Sequence, residues 1–428
     1  MDRIQKIFVD TLKRELVPAL GCTEPIAIAY AAAKAREVLG EFPKHMAIRC
    51  SGNIVKNVKG VTVPNSGGLR GIDVAAVLGV VGGNPARELE VLEEVRPEHI
   101  EKTKQLIAQG FVDCKLQEDV ANLYIVATVF SEKHQAEVTI VNRHTLITRI
   151  VKDDQVLFEV PPVQTKTAGD SWDVWNIRNI LDFANTVDLD LVRDVLKDQI
   201  EKNSAIATEG LSANYGARVG RTILEVYGNN VLSRARAKAA AGSDARMGGC
   251  SLPVVINSGS GNQGMTVSLP VIEYVRELCV SEDRMYRALI VSNLVSIYQK
   301  HYIGSLSAFC GAVTAACGCG AAITYLCGGS YEQICMTIVN TIGNVGGIVC
   351  DGAKSSCAAK IASAVEASII AHNMSMRGRH FEAGEGFVQK DIEQTIKSLG
   401  YIGRVGMKAT DIEILKVMLG QADLQMQN

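Results

Sequence analysis

The sequence predicts an α+β protein in which a small mixed α/β-sheet domain lies beside a larger all-α, Gly/Ala-rich helical domain. Three observations carry this. Apolar residues alternate with period two between Cys114 and Val160, the spacing of half-buried strands. Most other apolar segments repeat at helical spacing. Between His301 and Glu332 no residue is charged, and most are Gly, Ala, Ser, Thr or Cys. A chain of 428 residues can bury more than one core.

Taken in order, residues 3–17 place Ile4, Ile7, Phe8, Leu12 and Leu16 on one helical face, and Pro18 ends or kinks that helix. The stretch ALGCTEPIAIAYAAAKAREVLG predicts a second helix, capped by Thr23 with Glu24 and Pro25 in its first turn. Residues 1–42 are therefore expected to form N-terminal helices packing with the helical domain. Residues 46–63 read as strand, Gly-containing turn, strand. The amide-rich loop Pro64 to Gly71 suits either an anion cradle or an ordinary surface turn. Helices follow at 72–81, 85–94 and 98–109. Cys114–Leu116, Leu123–Phe130, Ala136–Val141, Thr145–Val151 and Val156–Val160 then read as an antiparallel meander. This places an α+β domain at 43–165. Pro161 to Asn176, which holds both tryptophans, reads as a linker.

Residues 166–428 read as all-α. Asp170 or Ser171 is the expected cap of a helix over Val174 to Asn185, and Leu189 to Asn203 is amphipathic. Glu209 to Arg221 is broken by Gly turns. Ala237 to Gly249 is small and Gly-rich, and VVINSGSGNQG follows. Further helices are expected at about 267–280, 284–300, 304–326, 331–342, 353–372, 388–398 and 410–419.

Composition excludes several classes of function. A net charge of −2 leaves no basic footprint for nucleic acid. The N-terminus reads as a charged amphipathic helix rather than a signal peptide. Twelve cysteines in that context point to a reducing cytoplasm rather than a disulfide framework. The uncharged stretch has the length of a membrane span, but Gly318, Gly320, Gly328 and Gly329 interrupt it and no aromatic belt flanks it. A buried helical hairpin is expected instead.

Seven of the twelve cysteines lie between Cys310 and Cys357. Free cysteine is commonly a small buried hydrophobe, and Cys327 and Cys335 fit that description. Cys310 and Cys350 adjoin Gly-rich turns that can aim a sulfur into a cavity. Cys22 precedes a helix N-terminus, where exposed amides favour thiolate; a lone buried thiol in a turn is the alternative. Together they suggest a soft-metal or iron–sulfur site.

On GCTEPIAIAYAAAKA, CSGNIVKNV, VTVPNSGG, GLSANYGARVGR, NSGSGNQG, FCGAVTAACGCGAA and IGNVGGIVCDGAKSSCAAKIA, the chain resembles the L-cysteine desulfidase family, itself related to the alpha chain of iron–sulfur L-serine dehydratase. The resemblance spans nearly the whole length. It implies an oxygen-sensitive [4Fe–4S] cluster held by Cys22, Cys310 and Cys350, and conversion of L-cysteine to pyruvate, ammonia and hydrogen sulfide. Cys317, Cys319 and Cys357 remain open as ligand sources. Three ligands from distant segments would leave one iron open as a Lewis acid.

Lys354, His301 and Glu24 are the candidate bases, each with a structural ion-pair or capping role as its alternative. Asn53, Asn214, Ser258, Ser260, Asn262 and Gln263 are candidates to hold the amino acid, with the amides of Gly259, Gly261 and Gly264. The expected partner is a small amino-acid substrate, with no nucleic acid and no membrane; a homodimer is compatible with the sequence. L-serine dehydration, and a non-enzymatic Cys-rich metal or redox protein, are the competing readings.

Overall fold

The computed structural model describes residues 2–161, 172–304 and 306–422. Helix α1 (Arg3–Glu15) begins where Asp2 accepts the Gln5 backbone N–H, and it buries Phe8 and Leu12. Strand β1 (Pro18–Leu20) leads into α2 (Thr23–Leu39). This Ala-rich helix is buried on almost every face. Then come β2 (His45–Cys50), α3 (Gly52–Val58), α4 (Ile72–Gly82), α5 (Pro97–Ala108) and β3 (Val112–Leu116). The meander follows as β4 (Tyr124–Phe130), β5 (Gln135–Val141), β6 (Ile147–Lys152) and β7 (Gln155–Glu159).

The six-stranded sheet has the order β3-β2-β4-β5-β6-β7. All pairs are antiparallel except β2 with β3. Two expectations are corrected here. Val112–Leu116 does not belong to the meander, because α4 and α5 form a crossover that returns β3 parallel to β2. The second strand expected within 46–63 is instead α3. Ile54 and Val58 alternate with Lys56, which reads as a strand, but residues four apart also share one helical face, and both are buried.

The helical part holds α6 (Ile177–Thr186), α7 (Arg193–Ser212), α8 (Val219–Tyr227), α9 (Val231–Met247), β8 (Pro253–Val255), α10 (Gly261–Leu278), α11 (Glu282–Ile303), α12 (Gly311–Leu326), α13 (Tyr331–Val345), α14 (Cys357–Ser375), α15 (Ile392–Tyr401) and α16 (Lys408–Leu419). Asn176 caps α6, accepting the Asn179 N–H at 2.8 Å; the expected caps Asp170 and Ser171, and most of the linker, lie outside the described residues. Most of the small-residue stretch from Ala237 belongs to α9, as its run of strong helix formers favours.

The uncharged stretch becomes α12, packed against α10, α11, α13 and α14. Its glycines explain that placement. A Cβ on Gly318 would stand 2.3 Å from the Ser292 carbonyl oxygen of α11, so the backbones meet at a distance only Gly allows. Among the described residues no helix is long and apolar enough to cross a membrane.

One hydrophobic core runs through both parts. α2 lies on β4, β5 and α4, whereas α1 packs on α6 and α11 and β1 pairs antiparallel with β8. The first 42 residues thus divide between the sheet and the helices. This places the start of α2 at the junction of the two.

Candidate functional site

Four helix N-termini converge at that junction. Cys22 is the residue preceding α2, Ser260 caps α10, Cys310 precedes α12, and Cys357 is the first residue of α14. Between them lies a cavity of about 110 Å³. Its walls include Cys22, Cys310, Cys350 and Cys357, the charged or titratable Glu24, His144, Arg246 and Lys300, and the polar Asn57, Ser258, Ser260, Asn262 and Gln263. The sheet part supplies Asn57 from α3 and His144 from the turn between β5 and β6.

Local backbone chemistry sets each wall. Cys310 and Cys350 are held side by side by a short antiparallel bridge: the Cys310 N–H donates to the Ile348 carbonyl at 3.0 Å and the Cys350 N–H to that of Ala308 at 2.6 Å. This bridge explains why α12 starts at Gly311 and not near 304. Residues Asn257 to Ser260 form a tight turn closed by reciprocal backbone bonds of 3.1 Å, with positive φ at both Ser258 and Gly259. Thr23 Oγ1 donates to the Gly259 carbonyl at 3.0 Å and so ties this turn to the start of α2. Gln263 lies flat on Gly311, where a Cβ would stand 2.6 Å from its amide carbon.

Cys22, not Thr23, is the residue that caps α2, and its thiol donates to Glu24 Oε2 at 3.0 Å. The Glu24 carboxylate also receives Asn57 Nδ2 at 3.4 Å, with Thr23 Oγ1, whose one hydrogen it shares with the Gly259 carbonyl, at 3.2 Å and His144 Nε2 at 3.8 Å. Burial alone would raise the Glu24 carboxyl, but His144, the Cys22 thiol and Arg246 outweigh it and hold it at about 2. Burial, reinforced by Glu24, pushes the Cys22 thiol well up. Burial and the neighbouring Cys350 push Cys310 up to about 12. The helix ends do not make these thiols anionic by themselves; desolvation outweighs them.

Two basic side chains face the cavity. Arg246 is buried, with Nε donating to the Gly21 carbonyl at 2.7 Å. Lys300, near the end of α11, is 6 % exposed. Among the described residues no carboxylate lies within ion-pair distance of either. Three buried polar atoms of the lining lack hydrogen-bond partners: His144 Nε2, Asn262 Oδ1 and Gln263 Oε1. Unpaired buried polar atoms cost free energy unless a ligand satisfies them. Among the described residues no three His, Cys, Asp or Glu side chains are grouped to hold a single metal ion.

The residues singled out in the sequence fall into two sets. The structure brings together Cys22, Cys310, Cys350, Glu24, Ser258, Ser260, Asn262 and Gln263 in the lining, and with them Cys357. It places the others outside that lining. Lys354 folds over the Cys350 turn, its Nζ 2.5 Å from the Asp351 carboxylate and within hydrogen-bond distance of the Asp351 and Gly352 carbonyls. His301 stacks on Trp172 with ring centroids 3.5 Å apart. Asn214 is exposed and accepts from Arg218 Nη1 at 3.2 Å. Asn53 lies on α3 with a buried Oδ1. Cys317 and Cys319 are buried inside α12. The Pro64 to Gly71 loop lies outside the lining too, although Pro64 abuts Gly21 beside Cys22.

Lys300, Arg246, His144 and Asn57 were not singled out in the sequence. Lys300 had one local signal, its position as the last charge before His301 and the uncharged stretch. Arg246 had none, because a cation in an Ala-rich helix ordinarily faces solvent.

A family model described as serine dehydratase alpha chain matches residues 86–416. A UPF0597 protein of Lachnoclostridium phytofermentans is 54 % identical over 414 residues, covering 97 % of this chain and 99 % of its own. UPF0597 proteins of Desulfitobacterium hafniense and Treponema denticola are 49 % and 47 % identical, with 98 % and 96 % of this chain covered and 98 % and 97 % of their own. The family match takes in Cys310, Cys350, Lys300 and the Asn257–Ser260 turn, and on it the chain belongs to the serine dehydratase alpha chain family.

Proposed function

We propose that this protein is an iron–sulfur-dependent lyase that eliminates sulfide from L-cysteine, giving pyruvate and ammonia. The observation that carries the proposal is that cysteines about 290 and 330 residues apart, Cys22 with Cys310 and Cys350, line one cavity, as distant ligands to one group must. The chemistry of the donor set suits a bound cluster. Thiols raised as far as Cys22 and Cys310 stay protonated until a metal displaces the proton. Cys22, Cys310 and Cys350 would hold a [4Fe–4S] cluster, with Cys357 alongside. When bound with three protein ligands, such a cluster supplies a thiophilic Lewis acid for the leaving group.

The chain's own groups account for the rest of substrate handling. Arg246, buried and without a carboxylate partner, suits the substrate carboxylate. Ser258 Oγ donates to Asn257 Oδ1 at 2.9 Å, so its lone pairs remain to accept from the substrate ammonium. The unpartnered Asn262 Oδ1 and Gln263 Oε1 offer further acceptors. Glu24 accepts from Cys22 and Asn57 and serves to fix them, with His144 3.8 Å away.

The family match favours L-serine dehydration as the alternative, since hydroxide and hydrosulfide leave from the same carbon. Anaerobic purification, a visible spectrum and paired pyruvate assays on L-cysteine and L-serine decide between them. Sulfide release with L-cysteine well ahead of L-serine is expected. A colourless, iron-free protein that turns over neither amino acid would sink the proposal.

A further inference from the structure

The lyase reading leaves the proton acceptor unassigned, and Glu24 is poorly placed to be it. Its two oxygens already face Cys22, Thr23, Asn57 and His144. His144 turns Nε2 toward Glu24 and lays its Cε1–Nδ1 edge over Gly259, 3.3 Å from where a Cβ would stand. His144 Nε2 makes no hydrogen bond, but it faces the Glu24 carboxylate 3.8 Å away. Among the described residues Lys300 has no carboxylate that close. It is the only lysine among the described lining residues, it is buried, and it makes no hydrogen bond or ion pair with a described side chain.

Resting on the lyase reading, we infer that Lys300 is the base that removes the substrate Cα proton. A buried ammonium without a direct ion-pair partner is costly, and the neutral amine is the form that burial favours. The groups facing it are consistent with this. Burial and Lys56 favour the amine, while Glu24 and any charge on Cys350 or Cys310 favour the ammonium. In the step, the Nζ lone pair takes the Cα proton. The C–H electron pair becomes the Cα–Cβ double bond, and the Cβ–S bond breaks with its pair leaving on sulfur as hydrosulfide. The products are the Lys300 ammonium, hydrosulfide and aminoacrylate. Aminoacrylate tautomerises to the imine and is hydrolysed by water to pyruvate and ammonia. Transfer of the proton from Lys300 to solvent resets the amine.

The position on the helix makes the choice specific. Successive residues of a helix point about 100° apart. His301 therefore turns into the Trp172 stack while Lys300 faces the cavity. A lysine here also needs no partner from another chain.

The test uses the full-length protein, with wild type, Lys300→Met and Lys300→Ala each reconstituted anaerobically to equal, chemically measured iron content. Two readouts are taken: pyruvate from L-cysteine, and exchange of the Cα hydrogen of L-alanine, which has no leaving group, in deuterated water. Both variants should lose between about 10² and 10⁴ of kcat, the range for a positioned general base. Lys300→Met should lose the L-alanine exchange, and Lys300→Ala should regain turnover with added methylamine or ethylamine in proportion to free-base concentration. The assignment is overturned if either variant at wild-type iron content keeps more than a tenth of kcat. It is also overturned if the exchange persists, or if amines fail to rescue Lys300→Ala. A wild type that carries iron yet turns over no β-substituted amino acid would overturn the lyase reading instead.

Discussion

Lys56 offers the clearest test of how the fold supports the site. Its side chain is 1 % exposed, and its ammonium pairs with Asp411 of α16 and reaches the Cys350 carbonyl at 3.4 Å. No described residue of α16 is buried, so this ion pair is a principal anchor of the helix, together with Leu415 against Gly52 and Lys59 donating to the Met418 carbonyl. Asp411→Asn leaves a nearly dry ammonium without a counter-charge. Removing one partner of a buried pair costs about 3–5 kcal/mol. Asp411 itself is 15 % exposed, which places the loss near the lower end, about 3 kcal/mol. That corresponds to local opening of α16 becoming roughly a hundredfold more frequent. Lys56→Met should cost less, because the remaining carboxylate can hydrate. The double variant Lys56→Met with Asp411→Leu should recover much of the loss. Amide hydrogen exchange of α16, read by fragment mass spectrometry, measures each. If Asp411→Asn changes α16 protection by less than about threefold, the ion pair does not anchor the helix, and the reasoning fails.

Three other outcomes are expected. Cys350→Ala should lose bound iron and lyase activity, whereas Cys327→Ala, at the far end of α12, should keep both and lose about 1 kcal/mol of stability; iron content and sulfide release under anaerobiosis compare them. Gly318→Val should destabilise by at least about 1–3 kcal/mol, the scale of overpacking, since its Cβ would meet the Ser292 carbonyl oxygen at 2.3 Å; thermal unfolding reads this. Burial holds His372 down at about 4, with Nδ1 2.9 Å from Thr324 Oγ1. Its folded pKa lies below the unfolded value of about 6.5, so between those values only the unfolded chain binds the proton. Stability should therefore fall as pH drops from about 6.5 to about 4, by up to about 3 kcal/mol from this group, and His372→Gln should flatten that part of the curve.

Much of the architecture was legible because it rests on period. The alternation after Leu123 gave the meander, and helical spacing gave most of the later helices. The misread segments are those where two periods fit equally. Ile54, Lys56 and Val58 satisfy a strand by alternation and a helix by the four-residue step, and only the tertiary setting that buries Lys56 against Asp411 selects the helix. In the site, the cysteines and the Asn257–Gln263 segment were legible because Gly-rich turns advertise unusual backbone. Lys300 and Arg246 were not, since each sits in regular helix, and nothing local says which face of a helix meets a cavity formed by residues hundreds of positions away. His301 shows the same limit from the other side: adjacent in sequence to Lys300, it points elsewhere.

The small-residue composition and the chemistry of the site have one cause. Close approach of α12 to α10, α11 and α14 requires residues such as Gly318 and Gly320, and that approach aims the N-termini of α10 and α12 at the same point. Each helix end contributes roughly half a positive charge there, in addition to Arg246, against the single carboxylate of Glu24. The cavity is thus electrostatically incomplete. Protonated thiols cannot correct this, because burial holds Cys22 and Cys310 in the neutral form. On the proposed reading, exchanging those protons for metal and admitting a substrate carboxylate would introduce negative charge where the helix ends and Arg246 stand. A site built this way would hold anionic occupants more tightly than water.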